Sequence, residues 1–435
     1  MAKRLTWYIL GALVLGLFTG WAINAAIADG SPEATARLKD IAGYFGIVTT
    51  LFLRLIKMII APLVFATLVA GIAHMGDTAA LGRVGMRSLA WFITASLLSL
   101  TLGLILVNVL QPGVGLGLPL PDVSAASGVE TKAFNIKDFV THLVPASMIA
   151  AMAENEILQI VIFSIFIGVA ITAVGEKAKP LVRGVEALVE VMLQVTNYVM
   201  RLAPLAVFAA VTAAIAEQGP GILLFYGRFI GSFYLGLALL WVLLLAIAFL
   251  AVGQRVRHLV RYIRDPLILA FSTASSEAAY PRTLEALDKF GVPPRIASFV
   301  LPLGYSFNLD GSMMYMTFAT IFIAQAYGID LTIGQEILLL LTLMITSKGI
   351  AGVPRASLVV IAGSLAMFNI PEAGLLLILA VDHFLDMGRS ATNVVGNAVA
   401  SVLVAKWEGP LDVPESPVIE HPHAPSHVPA PPPTV

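Results

Sequence analysis

Near the C-terminus the chain reads Asp382-His383-Phe384-Leu385-Asp386-Met387-Gly388-Arg389-Ser390-Ala391-Thr392-Asn393-Val394-Val395-Gly396-Asn397. Five of its polar residues are spaced by four, three, four and four positions: Asp382, Asp386, Arg389, Asn393 and Asn397. At about 100° per residue, their side chains fall within about 80° of arc on a helix. The helix predicted from about residue 372 to about residue 406 is otherwise apolar, so the five residues form one polar stripe.

The composition of the whole chain predicts that this stripe lies in a membrane. Hydrophobic residues make up 58% of the 435 positions, charged residues make up 12%, and the mean hydropathy is +0.89. Soluble globular chains are about half apolar and about a quarter charged. A charge at the membrane centre costs about 2.5–3.5 kcal/mol, so three charges on one stripe indicate a functional purpose. The net charge of −1 argues against a nucleic-acid partner, and the absence of cysteine excludes disulfides, zinc–thiolate sites and cysteine catalysis.

Long apolar segments in the first part of the chain predict six transmembrane helices. They lie near residues 5–27, 46–72, 89–110, 157–174, 185–215 and 229–252. Lysine and arginine residues cluster after the even-numbered segments, and the positive-inside rule therefore places the N-terminus in the cytoplasm. Residues 409–435 are rich in proline and histidine and have no apolar period, so they are predicted to be a disordered cytoplasmic tail.

After residue 265 the hydrophobic sequence is interrupted by polar and helix-breaking residues. The interruptions are residues 272–277, 306–312 and 347–354. Non-helical backbone at membrane depth persists only where it is buried in protein or lines a watery cavity. Two re-entrant hairpins, at about 261–291 and 332–368, each followed by a polar-punctuated helix, are therefore predicted as inverted repeats. Ordinary helices with kinks are the alternative.

The polar stripe has the chemistry to bind a zwitterion that carries an acidic side chain. Arg389 offers a planar fork of donors that matches a carboxylate, and it keeps its charge. Asp386 can accept an ammonium group, and Asn393 can donate to a second carboxylate. The predicted hairpin tips, Ser275-Ser276 and Gly352-Val353, can add backbone N–H groups. In a purely structural alternative, Asp386 and Arg389 form an i,i+3 salt bridge that holds the helix bundle together.

Three motifs resemble the signatures of a known family. Asn308-Leu309-Asp310-Gly311-Ser312, Ala351-Gly352-Val353-Pro354 and Asp382…Leu385-Asp386-Met387-Gly388-Arg389 are similar to motifs of the dicarboxylate/amino acid:cation symporter family, the glutamate transporters. The resemblance covers essentially all of residues 5–408. The segments that point to the bacterial proton/glutamate symporters are residues 304–312, 347–354 and 405–408.

This resemblance implies an all-α polytopic membrane protein, with eight transmembrane helices and two re-entrant helical hairpins in a transporter domain at 1–408. It implies a homotrimer in the bacterial cytoplasmic (inner) membrane, embedded in the lipid bilayer, with both termini cytoplasmic. Scaffold helices at about 5–72 and 140–215 would hold the trimer together. A transport domain at about 85–112 and 222–408 would move like an elevator, with the hairpin at 332–368 as the outer gate.

By position, the resemblance assigns Arg389 to the side-chain carboxylate of the substrate, Asp386 to its amino group and Asn393 to its main-chain carboxylate. The further candidate substrate contacts are Ser275, Ser276, Ser312, Gly352, Val353 and Ser390.

Departures from the sodium-coupled members favour protons as the coupling ion. Asn397 stands where those members have an aspartate that ligates sodium, and Phe92 and Ala95 replace a tyrosine and a threonine near another sodium site. Sodium needs several hard oxygen ligands, and these replacements remove three oxygen donors. A proton carrier must then be a carboxyl group that is buried or lies near a like charge. The candidate coupling residues are Glu277, Asn308, Asp310, Asp382 and Asn397.

The expected function is therefore a symporter that takes up glutamate or aspartate with protons, with no enzymatic activity, no cofactor and no metal site. The alternatives are a carrier for C4-dicarboxylates such as succinate, fumarate or malate, and a sodium-coupled carrier for acidic amino acids. A membrane enzyme or channel is a third class, but no nucleophile–histidine pair or continuous polar pore helix supports it. Asp386 discriminates between the two substrate classes, because a C4-dicarboxylate has no ammonium group that needs a carboxylate.

Overall fold

The long apolar segments fold as α-helices, and no β-strand occurs in the part of the chain that the structure describes. This computed structural model describes residues 2–75, 78–115, 140–219, 226–347, 356–379 and 381–411. The predicted tail therefore lies almost wholly outside the described residues. In chain order the helices are α1 (Ala2–Ile27), α2 (Pro32–Met75), α3 (Thr78–Leu110), α4 (Met148–Glu154), α5 (Ile157–Val174), α6 (Lys179–Met200), α7 (Ala203–Gln218), α8 (Gly227–Val252), α9 (Val256–Thr273), α10 (Ser276–Phe290), α11 (Pro294–Phe307), α12 (Asp310–Ala326), α13 (Ile333–Thr346), α14 (Ala356–Met367), α15 (Leu375–Leu379) and α16 (Asp382–Glu408).

Several helical stretches are long and apolar enough to cross a membrane. In the described part of the chain these are Trp7–Ile27, Pro32–Ala73, Ala80–Leu110, Ile157–Met200 and Gly227–Thr273. Five of the six predicted spans lie within helices, in α1, α2, α3, α5 and α8. For the described residues, the prediction of an all-helical protein with several helices long and apolar enough to span a membrane is confirmed.

The prediction of one continuous span at 185–215 is wrong. Helix α6 ends at Met200, and α7 begins at Ala203 after a turn at Arg201 and Leu202. Pro204 lies in the first turn of α7. Proline has no N–H to continue a helix and is tolerated at a helix start, so the apolar run is divided there.

Helices α1 and α7 pack backbone against backbone because two glycines of α1 face α7. A Cβ on Gly16 would lie 2.9 Å from the carbonyl oxygen of Phe208, and a Cβ on Gly20 would lie 2.8 Å from that of Thr212. The Thr212 hydroxyl donates to the carbonyl of Gly16 at 3.4 Å. Small residues four apart allow this close approach of membrane helices.

The packing contacts divide the helices into two groups. Helix α2 packs against α1, α5, α6 and α7, whereas α16 packs against α3 and α8 to α12. The two groups meet mainly where α10 and α11 lie against α2, and where α11 lies against α5.

Two helices joined by a tight turn occupy the first predicted hairpin. Helices α9 and α10 pack against each other, and Ala274 between them has a left-handed φ of 49°. The Ser275 hydroxyl then accepts a hydrogen bond from the Ala278 N–H at 3.3 Å and caps α10. Helices α13 and α14 occupy the second predicted hairpin, and its tip, residues 348–355, lies outside the described residues.

Two further helix breaks position the polar residues. Asn308 and Leu309 separate α11 from α12, with ψ angles of 61° and 67° that are not helical. The last helix begins at Asp382, not at about residue 372 as expected. Pro371 precedes a short 3₁₀ turn at Glu372–Gly374, and the brief helix α15 follows before α16 starts.

Candidate functional site

The polar stripe lies on α16, the helix that the second group of helices surrounds. Four of its five residues, Asp382, Arg389, Asn393 and Asn397, are buried, with Arg389 only 2% exposed. The Asp386 side chain is 38% exposed and is the accessible member. The spacing predicted from the sequence therefore places the stripe inside the protein, on one helix.

Arg389 is held by two carboxylates and one aromatic ring. Its Nη2 atom lies 2.9 Å from Asp386 Oδ1 and 3.2 Å from Asp382 Oδ1. The Tyr315 hydroxyl donates to the same Asp382 oxygen at 3.0 Å, and the guanidinium carbon lies 4.0 Å from the centre of the Tyr315 ring. The i,i+3 pair of the structural alternative is thus formed, but it uses only one nitrogen of the guanidinium.

The remaining donors of Arg389 are buried and available for a ligand. Within the described residues, Nε and Nη1 have no hydrogen-bond partner. A buried donor without a partner costs about 1–3 kcal/mol, and more when the group is charged. Nε–H and Nη1–H point to different sides of the guanidinium, and each is a charged donor for which a carboxylate oxygen is a suitable acceptor.

Asn393 joins the stripe to the start of α12. Its Oδ1 accepts hydrogen bonds from the N–H groups of Gly311 and Ser312, at 2.9 and 3.4 Å. Its Nδ2 donates to Ser312 Oγ at 3.2 Å. The amide is therefore oriented by the N-terminus of α12, and its second N–H can donate to a ligand.

A second polar cluster surrounds Asp310, the first residue of α12, and includes Asn397, which lies one turn after Asn393 on α16. The Asp310 carboxylate accepts hydrogen bonds from Ser99 Oγ at 3.1 Å and from Asn308 Nδ2 at 3.0 Å. Asn308 Nδ2 also donates to Asn397 Oδ1 at 3.3 Å. Asn308 and Asp310 are fully buried and Asn397 is buried. These three of the predicted coupling residues therefore lie together in the protein interior.

Two glycines make room for the Asp310 cluster. A Cβ on Gly396 would collide with Asp310 Oδ2, and a Cβ on Gly304 would collide with Asn397 Oδ1.

Phe92 and Ala95, the replacements noted on α3, are buried in the hydrophobic core.

The other candidates occupy separate places. Ser275 caps α10, and the carbonyl of Ser276 accepts a hydrogen bond from the Tyr305 hydroxyl at 3.0 Å. Glu277 follows in the first turn of α10 and lines a cavity between helices rather than joining either polar cluster. Ser390 is buried on α16. Gly352 and Val353 lie outside the described residues.

Two contributors were missed from the sequence, Tyr315 and Ser99. Tyr315 lies three residues after Ser312 on α12, and therefore on the same face. Ser99 lies four residues after Ala95 on α3, and its hydroxyl oxygen lies 2.8 Å from the Ala95 carbonyl oxygen and 3.1 Å from Asp310 Oδ1. The helical period shows that each lies on the same face as a residue already named, but the distant residue that it contacts could not be read from the sequence.

Comparison with known proteins identifies the family of the chain. The model of the sodium:dicarboxylate symporter family matches residues 5–407. The chain is 41% identical to the proton/glutamate-aspartate symporter of Escherichia coli (strain K12), over 94% of both chains. It is 38% identical to the proton/sodium-glutamate symport protein of Bacillus caldotenax, over 93% of this chain and 94% of that one. It is 42% identical to the C4-dicarboxylate transport protein of Laribacter hongkongensis (strain HLHK9), over 83% of both. The chain belongs to the sodium:dicarboxylate symporter family.

Proposed function

We propose that this protein is a secondary active symporter that takes up glutamate or aspartate together with protons. The observation that carries the proposal is Arg389, a buried guanidinium with two nitrogens that have no hydrogen-bond partner among the described residues and with Asp386 beside it. Arg389 binds the side-chain carboxylate, and Asp386 exchanges its bond to Arg389 for the ammonium group of the substrate. Asn393 donates to the main-chain carboxylate.

The charges of the site support coupling to a cation. Arg389, Asp382 and Asp386 carry one positive and two negative charges, so the ionised cluster has a net charge of −1. An acidic amino acid adds a further −1. Carrying uncompensated charge through a membrane is costly, so a cation that accompanies the substrate lowers the cost of transport.

Protons are the preferred cation because the cluster around Asp310 is built from amides and a hydroxyl. The side chains around Asp310 are neutral: Asn308, Asn397 and Ser99. A second carboxylate in their place would strengthen the binding of sodium. The relative from Escherichia coli is named a proton/glutamate-aspartate symporter, which supports this choice.

The two groups of helices support an elevator mechanism. The group around α2 would form the scaffold of a homotrimer, and the group around α16 would carry the substrate across the bilayer. The hairpins α9–α10 and α13–α14 would be re-entrant and complete a set of eight spans and two hairpins. In this arrangement the protein lies in the bacterial inner membrane, with both termini in the cytoplasm.

A C4-dicarboxylate is the second candidate substrate. The relative from Laribacter hongkongensis is named a C4-dicarboxylate transport protein, and Arg389 would suit succinate as well as aspartate. Asp386 favours the amino acid, because a dicarboxylate next to this carboxylate would be repelled unless Asp386 stayed paired with Arg389.

The test is uptake of a substrate panel into proteoliposomes under one fixed inward proton gradient. Labelled aspartate and glutamate should accumulate well above labelled succinate, and labelled alanine should not accumulate. Accumulation of succinate with no accumulation of either amino acid would replace the proposal by its alternative.

A further inference from the structure

Glu277 lies in a cavity on the boundary between the two groups of helices. The space is a narrow gap between side chains, too small to hold a water molecule. It is lined, besides Glu277, by Ile60, Val64, Ile157, Tyr280, Pro302 and Tyr305. Ile60 and Val64 belong to α2 and Ile157 to α5, whereas the other residues belong to α10 and α11. The Glu277 carboxyl group therefore lies at the boundary between the proposed transport domain and the proposed scaffold.

The walls that α2 and α5 place beside Glu277 are apolar. The α2 and α5 walls are formed by aliphatic side chains, which give a carboxylate no hydrogen bond. The Tyr305 hydroxyl is bonded to the Ser276 carbonyl. A charged group in apolar surroundings loses its hydration, and the cost is avoided when it binds a proton.

The titratable and charged groups that face Glu277 come from three helices. Lys57 on α2 is the cation that acts on it electrostatically. Tyr280 on α10 and Tyr305 on α11 line the same cavity, and their rings contact each other edge to face at 5.4 Å. Lys57 lies one turn before Ile60 on α2, so the cation and the apolar wall are neighbours on one helix.

The position of Glu277 links it to the substrate site as well as to the boundary. It directly follows Ser275 and Ser276, the candidate substrate contacts at the α9–α10 turn, and Ser275 caps the helix that carries it. A movement of α10 along α2 would carry Glu277 away from Lys57 and past the aliphatic side chains.

We propose that Glu277 carries the coupled proton, and that its neutral form allows the α9–α10 hairpin to slide along α2 and α5. The proton binds to the carboxylate from the outer solution, crosses with the substrate and dissociates into the cytoplasm, so one proton moves inward in each cycle. This assignment rests on the proposed function, because it requires a moving hairpin and a proton gradient.

The first test compares Glu277→Gln with wild type in two assays. Exchange of labelled for unlabelled aspartate across the liposome membrane needs no net proton movement, and Glu277→Gln should retain it. Proton-driven accumulation should fall about tenfold under a gradient of about one pH unit, because one coupled proton then contributes about 1.4 kcal/mol. The matched control is Asp288→Asn, an exposed carboxylate on the same helix, which should accumulate aspartate as wild type does.

The second test removes the facing cation and covers the case in which Glu277→Gln does not fold. Lys57→Ala should move the pH midpoint of aspartate uptake to higher pH, because the carboxyl group then holds its proton more tightly. Arg54→Ala, an exposed cation one turn away on α2, is the control and should leave the midpoint unchanged.

Full accumulation by Glu277→Gln, or an unchanged midpoint in Lys57→Ala, would overturn the assignment while leaving the proposed symport intact. Failure of the proposed function is recognised separately, because wild type itself would then show no proton-driven uptake of acidic amino acids.

Discussion

Asp382 and Arg389 lie seven residues apart on α16 and are joined by a contact of 3.2 Å between Oδ1 and Nη2. Two helical turns separate them, and the Tyr315 hydroxyl donates to the same carboxylate oxygen. Arg389 therefore stays anchored by Asp382 and the Tyr315 ring if Asp386 leaves. Because Asp382 keeps its contact with Arg389, the more exposed Asp386 can exchange its contact with the guanidinium for one with the ammonium group of the substrate.

Replacing Asp382 by asparagine should weaken substrate binding without stopping transport. Hydrogen bonds to charged groups contribute about 1.5–3 kcal/mol, so KM for aspartate should rise by about tenfold or more while kcat changes less. The measurement is initial uptake over a range of aspartate concentrations. Tyr315→Phe, which keeps the ring over the guanidinium, should have a smaller effect on KM. An unchanged KM in Asp382→Asn would show that Asp382 does not position Arg389.

Replacing Asp386 by serine should change substrate preference. The variant loses the partner of the ammonium group, so uptake of glutamate and aspartate should fall at least about tenfold. Succinate should be less affected, because it has no ammonium group. Since the Asp386 side chain is 38% exposed, folding should be little disturbed, and size-exclusion chromatography in detergent would check this. Equal losses for aspartate and succinate would contradict the assignment of Asp386 to the amino group.

Replacing Arg389 by alanine should abolish transport of acidic substrates and allow neutral amino acids to compete for the site. Because removal of one partner of a buried ion pair costs about 3–5 kcal/mol, the unfolding temperature should fall as well. Arg389→Lys separates the two effects, since it keeps the charge but loses the planar fork. That variant should fold normally and still transport aspartate poorly. Wild-type aspartate uptake by Arg389→Lys would show that the fork is not used.

Replacing Gly396 by alanine should disrupt the Asp310 cluster. A Cβ at this position would collide with Asp310 Oδ2, so Asp310 or α16 must shift. Overpacking of a buried site costs about 1–3 kcal/mol, and thermal unfolding in detergent should show a lower midpoint together with reduced uptake. Gly231→Ala on α8 is the control, because a Cβ there meets no atom within 4 Å. Equal midpoints for the two variants would show that the cluster tolerates the methyl group.

The parts of the site that lie on one helix could be predicted from the sequence. Asp382, Asp386, Arg389, Asn393 and Asn397 share a face because the helical period is a local property of the backbone. The turn before Ser275 could be predicted in the same way, since a run of small polar residues in an apolar segment marks a break.

Contacts between distant segments could not be predicted from local pattern. Ser99 reaches Asp310 across 211 positions and Tyr315 reaches Asp382 across 67, and tertiary packing decides such pairs. The division at Arg201 and Leu202 was missed because hydropathy alone does not distinguish one long helix from two short ones. Pro204 was the available signal, since it marks the start of α7.

Proton coupling is tested most directly by aspartate uptake into proteoliposomes with the proton and sodium gradients imposed separately. We expect that an inward proton gradient drives accumulation in sodium-free buffer, and that the internal pH falls as aspartate enters. An inward sodium gradient at equal pH should add little. Accumulation that follows the sodium gradient and ignores pH would contradict proton coupling and, with it, the assignment of the proton to Glu277.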